Sequence, residues 1–171
     1  MLGGGVGQTV LKLVEEWNPS QEYDHERKYQ SELQDFLDEN LNQSGGGTGF
    51  GLDMGGGQEH SVYTERGTSR GDVVVDDVVG IELKRNFSNS QKRKLKGQLS
   101  DYGKNYDFVI ACACGIDDND GWIEVKNEFA NQQQGLMDMT EYHFVSKKRE
   151  NFGTGGQSGG DGGILGGGGF F

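Results

Sequence analysis

The chain has 171 residues, 31 of them Gly and one Pro, and its 27 acidic against 16 basic side chains give a net charge of −11. No apolar run approaches the ~18–20 residues of a membrane span, and the start MLGGGVGQTV lacks the basic stretch and apolar core of a secretory signal. Two cysteines cannot make a disulfide framework, so the composition points to a reduced, cytoplasmic protein without a membrane partner.

The charge is unevenly placed. Residues 84–104 hold Lys84, Arg85, Lys92, Arg93, Lys94, Lys96 and Lys104 against the single acid Asp101, a local +6 that leaves −17 on the rest of the chain. An acidic body with one basic segment is the pattern of a focused anion-binding surface.

In chain order, residues 1–19 read as a Gly-rich start and a short helix. GGGVGQT (3–9) lacks the lysine and the preceding strand of a phosphate-binding loop and reads as a flexible terminus. Val10, Leu11, Leu13, Val14 and Trp17 then recur at helical spacing over 8–17, and Pro19 ends the segment. Residues 20–152 read as one domain. Its first helix, 21–42, carries the stripe Tyr29, Leu33, Phe36, Leu37 and Leu41, with Ser20 or Asp24 as its cap. A Gly-rich insertion follows at 44–57.

Strand-like runs come next, at 61–66, 72–75 and 78–84. In GDVVVDDVVGIELK (71–84) a loop at 76–78 pairs Asp72 with Glu82, Val73 with Ile81 and Val74 with Gly80. One face then becomes wholly apolar (Val73, Val75, Val79, Ile81, Leu83), and Asp72, Glu82 and Lys84 share the other, less crowded face. A slip of one residue would reverse both faces, so burial selects this register.

Residues 90–104 predict an amphipathic helix with Leu95, Leu99 and Tyr102 on one face, and FVIACACG (108–115) a buried strand. IDDNDG (116–121) lacks the first and last ligands of a calcium loop and reads as a hairpin turn. Strands are predicted at 122–129 and 141–146, and disorder from Phe152 into the tail 153–171. Cys112 and Cys114 share a strand face and read as buried apolar residues. No His has a nucleophile motif beside it. The fold class is α/β, a mixed central sheet flanked by helices.

Two carboxylates and a lysine on one face suit Mg²⁺, which takes one or two protein carboxylates plus substrate phosphates. The following helix adds Gln98 and Tyr102, four apart on one side, and the cluster KRKLK (92–96), able to track a phosphate backbone.

Gly71-Asp72, Ile81-Glu82-Leu83-Lys84 and Gln98-Leu99-Ser100-Asp101-Tyr102 together resemble the PD-(D/E)XK nuclease superfamily, with its restriction-endonuclease-like fold, and the Q-x-x-x-Y element looks most like the RecB-type branch. The resemblance covers roughly residues 26–114 and implies Mg²⁺-dependent hydrolysis of DNA, with Mn²⁺ as the alternative ion. It implies that Asp72 and Glu82 ligate the metal with the Leu83 carbonyl, and that Lys84 activates or positions the attacking water. It further implies that Gln98 orients the site and contacts DNA, and that Glu32 assists from the first core helix, a role for which Glu26 competes. Lys92, Arg93, Lys94, Lys96, Gln98 and Tyr102 are then the nucleic-acid contacts, and a homodimer would suit cutting two strands. A non-catalytic nucleic-acid-binding module on the same fold ranks second, because two carboxylates facing DNA repel phosphate unless a metal lies between them.

Overall fold

The computed structural model describes residues 3–42, 59–64, 71–132 and 140–154. The Gly-rich insertion at 44–57 and the tail beyond 154 lie outside the described residues.

Helix α1 spans Gly3–Glu16, and α2 spans Glu26–Asn42. Val10, Val14 and Trp17 of the first segment (i, i+4, i+7) and Tyr29, Leu33 and Leu37 of the second (i, i+4, i+8) share one helix face each and are buried in one apolar cluster. The glycines at the start are therefore helical rather than a flexible terminus. Gly7 has a physical reason to be there: a Cβ at that position would fall 2.5 Å from the Phe108 ring, so only glycine lets α1 settle on the sheet.

The sheet runs in the order β1 (Val62–Tyr63), β2 (Val73–Val75), β3 (Val79–Phe87), β4 (Phe108–Ile116), β5 (Glu141–Lys147). β1, β2 and β3 pair antiparallel, and β3, β4 and β5 pair parallel. The β2–β3 register is the one that burial demands: Val73 faces Ile81, Val74 faces Gly80 and Val75 faces Val79. The turn between them closes with Val78 N–H donating to the Val75 carbonyl at 3.1 Å. Asp76 and Asp77 both sit in the left-handed region, at φ 52° and 56°, where Asp is among the few side-chain-bearing residues tolerated. The Asp76 carboxylate then accepts from Ser61 N–H at 2.8 Å and meets His60 Nδ1 at 2.6 Å, pinning β1 to the turn.

Helix α3 (Asn89–Tyr102) connects β3 to β4, and α4 (Asn119–Gln132) follows β4. α4 replaces both the turn expected at 116–121 and the strand expected at 122–129. Asp118 caps it by accepting from Gly121 N–H at 2.9 Å, and Trp122, Val125 and Phe129 recur at i, i+3 and i+7 on its buried side. The face of β3 that carries Glu82 and Lys84 is accordingly not open. It lies under α3 and α4, in a second cluster with Leu95, Leu99, Tyr102, Trp122 and Phe129. The result is a five-stranded mixed sheet between two helical layers.

Phe152 also belongs to the fold. It packs its ring against Tyr29 at 6.1 Å between centroids, and Gly153 N–H donates to the Pro19 carbonyl at 2.8 Å. Cys112 and Cys114 are free thiols buried in the first cluster, and the hydrogen bond with the Cys112 thiol, then burial, pushes the Cys114 thiol up. Among the described residues, no helix is long and apolar enough to cross a membrane.

Candidate functional site

β3 brings the site together because its residues alternate between the two clusters. Ile81 and Leu83 enter the α1–α2 layer, and Glu82 and Lys84 point the other way and are almost fully buried, at 1% and 4% exposure. The parallel neighbour β4 leaves space beside them. Glu82 pairs with Ala111 and Lys84 with Ala113, whereas Cys112 and Cys114 take the opposite face.

Glu82 is held from two sides. Lys84 Nζ donates to Oε1, and the Tyr102 hydroxyl, arriving from α3, donates to Oε2. Lys84 also donates to the Leu83 carbonyl at 3.3 Å and lies 3.8 Å from Glu26 Oε1. Asp72, half-buried just ahead of β2, accepts from Leu83 N–H at 2.9 Å. Glu26 opens α2 and accepts from Arg85 N–H at 3.0 Å. Carboxylate oxygens of Glu26, Asp72 and Glu82 lie within 4.8 Å of one another.

The electrostatics follow from that crowding. Burial, and then the Glu82 charge beside it, push Asp72 up to about 8, against the partial relief given by Leu83 N–H and Lys84. For Lys84, burial pulls downward, but Glu82, Glu26 and Asp72 together outweigh it and raise the ammonium above its ordinary value. Tyr102 is raised by burial and then by Glu82, so its hydroxyl remains a donor. Three carboxylates face one buried ammonium. The excess negative charge and the all-oxygen donor set fit a hard divalent cation such as Mg²⁺ or Mn²⁺.

The structure thus gathers Asp72, Glu82, Leu83 and Lys84, and draws the helical acid from Glu26 rather than Glu32. Six residues apart on a helix means about 9 Å along the axis and a different face. Glu32 is engaged elsewhere: it accepts from Ser20 N–H and Ser20 Oγ at 2.8 Å each, from Tyr23 Oη at 2.5 Å and from Trp17 Nε1 at 3.3 Å, fastening the α1–α2 connection. The sequence signal for Glu26 was its place in the first turn of α2, and the register of that helix against Arg85 appears only on folding. Leu83 offers the site its backbone alone, the N–H to Asp72 and the carbonyl to Lys84, since its side chain is in the core.

Gln98 lies one turn before Tyr102 on the same side of α3, and its buried Oε1 has no hydrogen-bond partner among the described residues. Tyr102 is 1% exposed, so it holds Glu82 and does not meet a nucleic acid. The basic cluster divides. Lys92 and Lys96 both bond Glu124 of α4 at 2.8 Å, and Lys96 also reaches Glu128 at 2.7 Å. The two lysines hold the Glu124 carboxyl down to about 2. Arg93 and Lys94 are exposed.

No family model matches the chain, and neither does any curated protein or solved structure. The chemistry must therefore be read from the arrangement itself. It is a carboxylate cluster open to solvent at Glu26 and Asp72, closed at Glu82, and flanked by a buried ammonium.

Proposed function

We propose that the chain is a Mg²⁺-dependent nuclease with a restriction-endonuclease-like fold that hydrolyses phosphodiester bonds in DNA. The observation that carries this reading is the convergence of Glu26, Asp72 and Glu82 within 4.8 Å, with Lys84 bonded to Glu82. The order in which the residues arrive supports it: an acid on α2, Asp72 at β2, Glu82 and Lys84 on β3, Gln98 on α3, then the apolar β4. That is the order of the PD-(D/E)XK core.

Glu26, Asp72 and Glu82 would hold the cation, with the Leu83 carbonyl beside them. A bound divalent cation would supply charge neutralisation and Lewis acidity toward a phosphate oxygen. Lys84, kept charged by its carboxylate neighbours, would donate a hydrogen bond that positions the attacking water or stabilises negative charge on a phosphate oxygen. Tyr102 and Leu83 N–H fix the orientation of Glu82 and Asp72.

The test is cleavage of labelled linear, circular and single-stranded DNA in Mg²⁺, Mn²⁺ or EDTA, with wild type beside Glu26→Gln and Lys84→Ala. Metal-dependent cutting that both substitutions abolish supports the assignment. DNA that is bound but never cut makes the chain a non-catalytic binding module. Cutting that survives both substitutions overturns the proposed site.

A further inference from the structure

We propose, resting on the nuclease reading above, that the phosphodiester backbone of DNA lies along the outward face of α3 carrying Arg93, Lys94 and Gly97, and that the Lys92–Lys96 face takes no part in binding. The four cations of KRKLK look equivalent in sequence, but the helix sends them in different directions. Lys92 and Lys96, four apart, face α4, where Glu124 and Glu128 already occupy their ammonium groups at 2.7–2.8 Å. A phosphate arriving there would have to displace two carboxylates.

Arg93 and Lys94 face away from α4 and have no hydrogen bond or ion pair among the described residues. They are exposed cations on a chain whose remaining charge is strongly negative, so a polyanion would be drawn to this face and repelled by much of the surface around it.

The position of Lys94 links that face to the site. Lys94, Gln98 and Tyr102 follow one another at four-residue intervals, and the row ends where Tyr102 bonds Glu82. A phosphate held by Lys94 is one helical turn from Gln98, and Tyr102, one turn further, reaches the carboxylate cluster. Gly97 adds a second observation. It sits in the helix interior, where glycine costs about 1 kcal/mol relative to alanine, yet a Cβ there would meet nothing within 4 Å. No neighbour within the described protein accounts for the missing side chain. The bare backbone lets an external strand approach the helix closely.

The experiment measures binding of the full chain to a fluorescein-labelled DNA duplex by anisotropy, in EDTA, across a salt series. Arg93→Glu combined with Lys94→Glu is expected to weaken binding at least tenfold and to lower the log–log salt slope by about 2. Lys92→Gln combined with Lys96→Gln is expected to stay within twofold of wild type. Gly97→Leu is expected to weaken binding several-fold without lowering Tm, which separates lost contact from lost folding. Equal or greater loss in the Lys92/Lys96 variant overturns the surface assignment while leaving the nuclease intact. A wild-type chain that neither binds nor cuts DNA overturns both.

Discussion

Tyr102 on α3 donates its hydroxyl to the Glu82 carboxylate on β3, twenty residues earlier in the chain, and both groups are buried. Removing the donor strands a charged oxygen out of reach of water. Tyr102→Phe is therefore expected to cost about 1–3 kcal/mol in urea denaturation. Cleavage should fall as well, because Glu82 loses one of the two bonds that aim it.

Lys84 presents the same problem more severely. It is the ammonium bonded to Glu82 within the buried cluster, and deleting one partner of a buried ion pair typically costs about 3–5 kcal/mol. Lys84→Ala should lose cleavage and much stability together. Lys84→Met combined with Glu82→Leu should recover stability and remain inactive, which shows that the pair serves chemistry at the expense of folding.

Asp72 makes stability depend on pH in a direction opposite to the usual carboxylate. Its folded value, about 8, lies above the ordinary 3.8, so the folded chain binds the proton more tightly than the unfolded chain does. The contribution is complete below about pH 4 and is lost as pH rises toward about 8. Thermal melts in EDTA should show Tm falling over that interval. Asp72→Asn, which keeps an acceptor for Leu83 N–H, should flatten the fall, and added Mg²⁺ should raise Tm more at the alkaline end.

Two glycines should respond to alanine with opposite signs. At Gly7 the new methyl would strike the Phe108 ring, itself stacked on His143 at 4.6 Å, and a loss of about 1–3 kcal/mol is expected. At Gly97 the methyl meets open space, and Gly97→Ala should gain about 0.5–1 kcal/mol. Paired urea titrations of the two variants check both.

The hairpin was legible because its faces are so unequal. Only one register buries Val73, Val75, Val79, Ile81 and Leu83 together, and the chain adopts it. The stripe of α2 was legible for the same reason. α4 was not, because Trp122, Ile123, Val125 and Phe129 have strand-forming side chains and the alternation is ambiguous over eight residues. Ile123, which a strand would have buried on one face, ends up 45% exposed on the helix. The start of α1 was masked by a run of glycines, of which Gly7 packs closely on Phe108, a partner about 100 residues away. Asp72, Glu82 and Lys84 could be placed from local alternation. Choosing Glu26 over Glu32 needed the register of α2 against β3, and finding that Lys92 and Lys96 are spent on α4 needed the packing of two helices, neither of which spacing alone contains.

The small residues of β4 carry a consequence for how this chain can diverge. Ala111 and Ala113 are the β4 partners of Glu82 and Lys84, and their small side chains leave more room on that face than larger residues would. A valine at either position would suit a strand well and crowd the charged side chain on the neighbouring strand. Positions 82 and 111, and likewise 84 and 113, are thus tied in pairs: descendants that keep the charges must keep the alanines, and descendants that give up the charges are free to fill the gap with bulk. A drift of A-C-A-C toward larger residues would mark lineages in which the site has been abandoned while the fold persists.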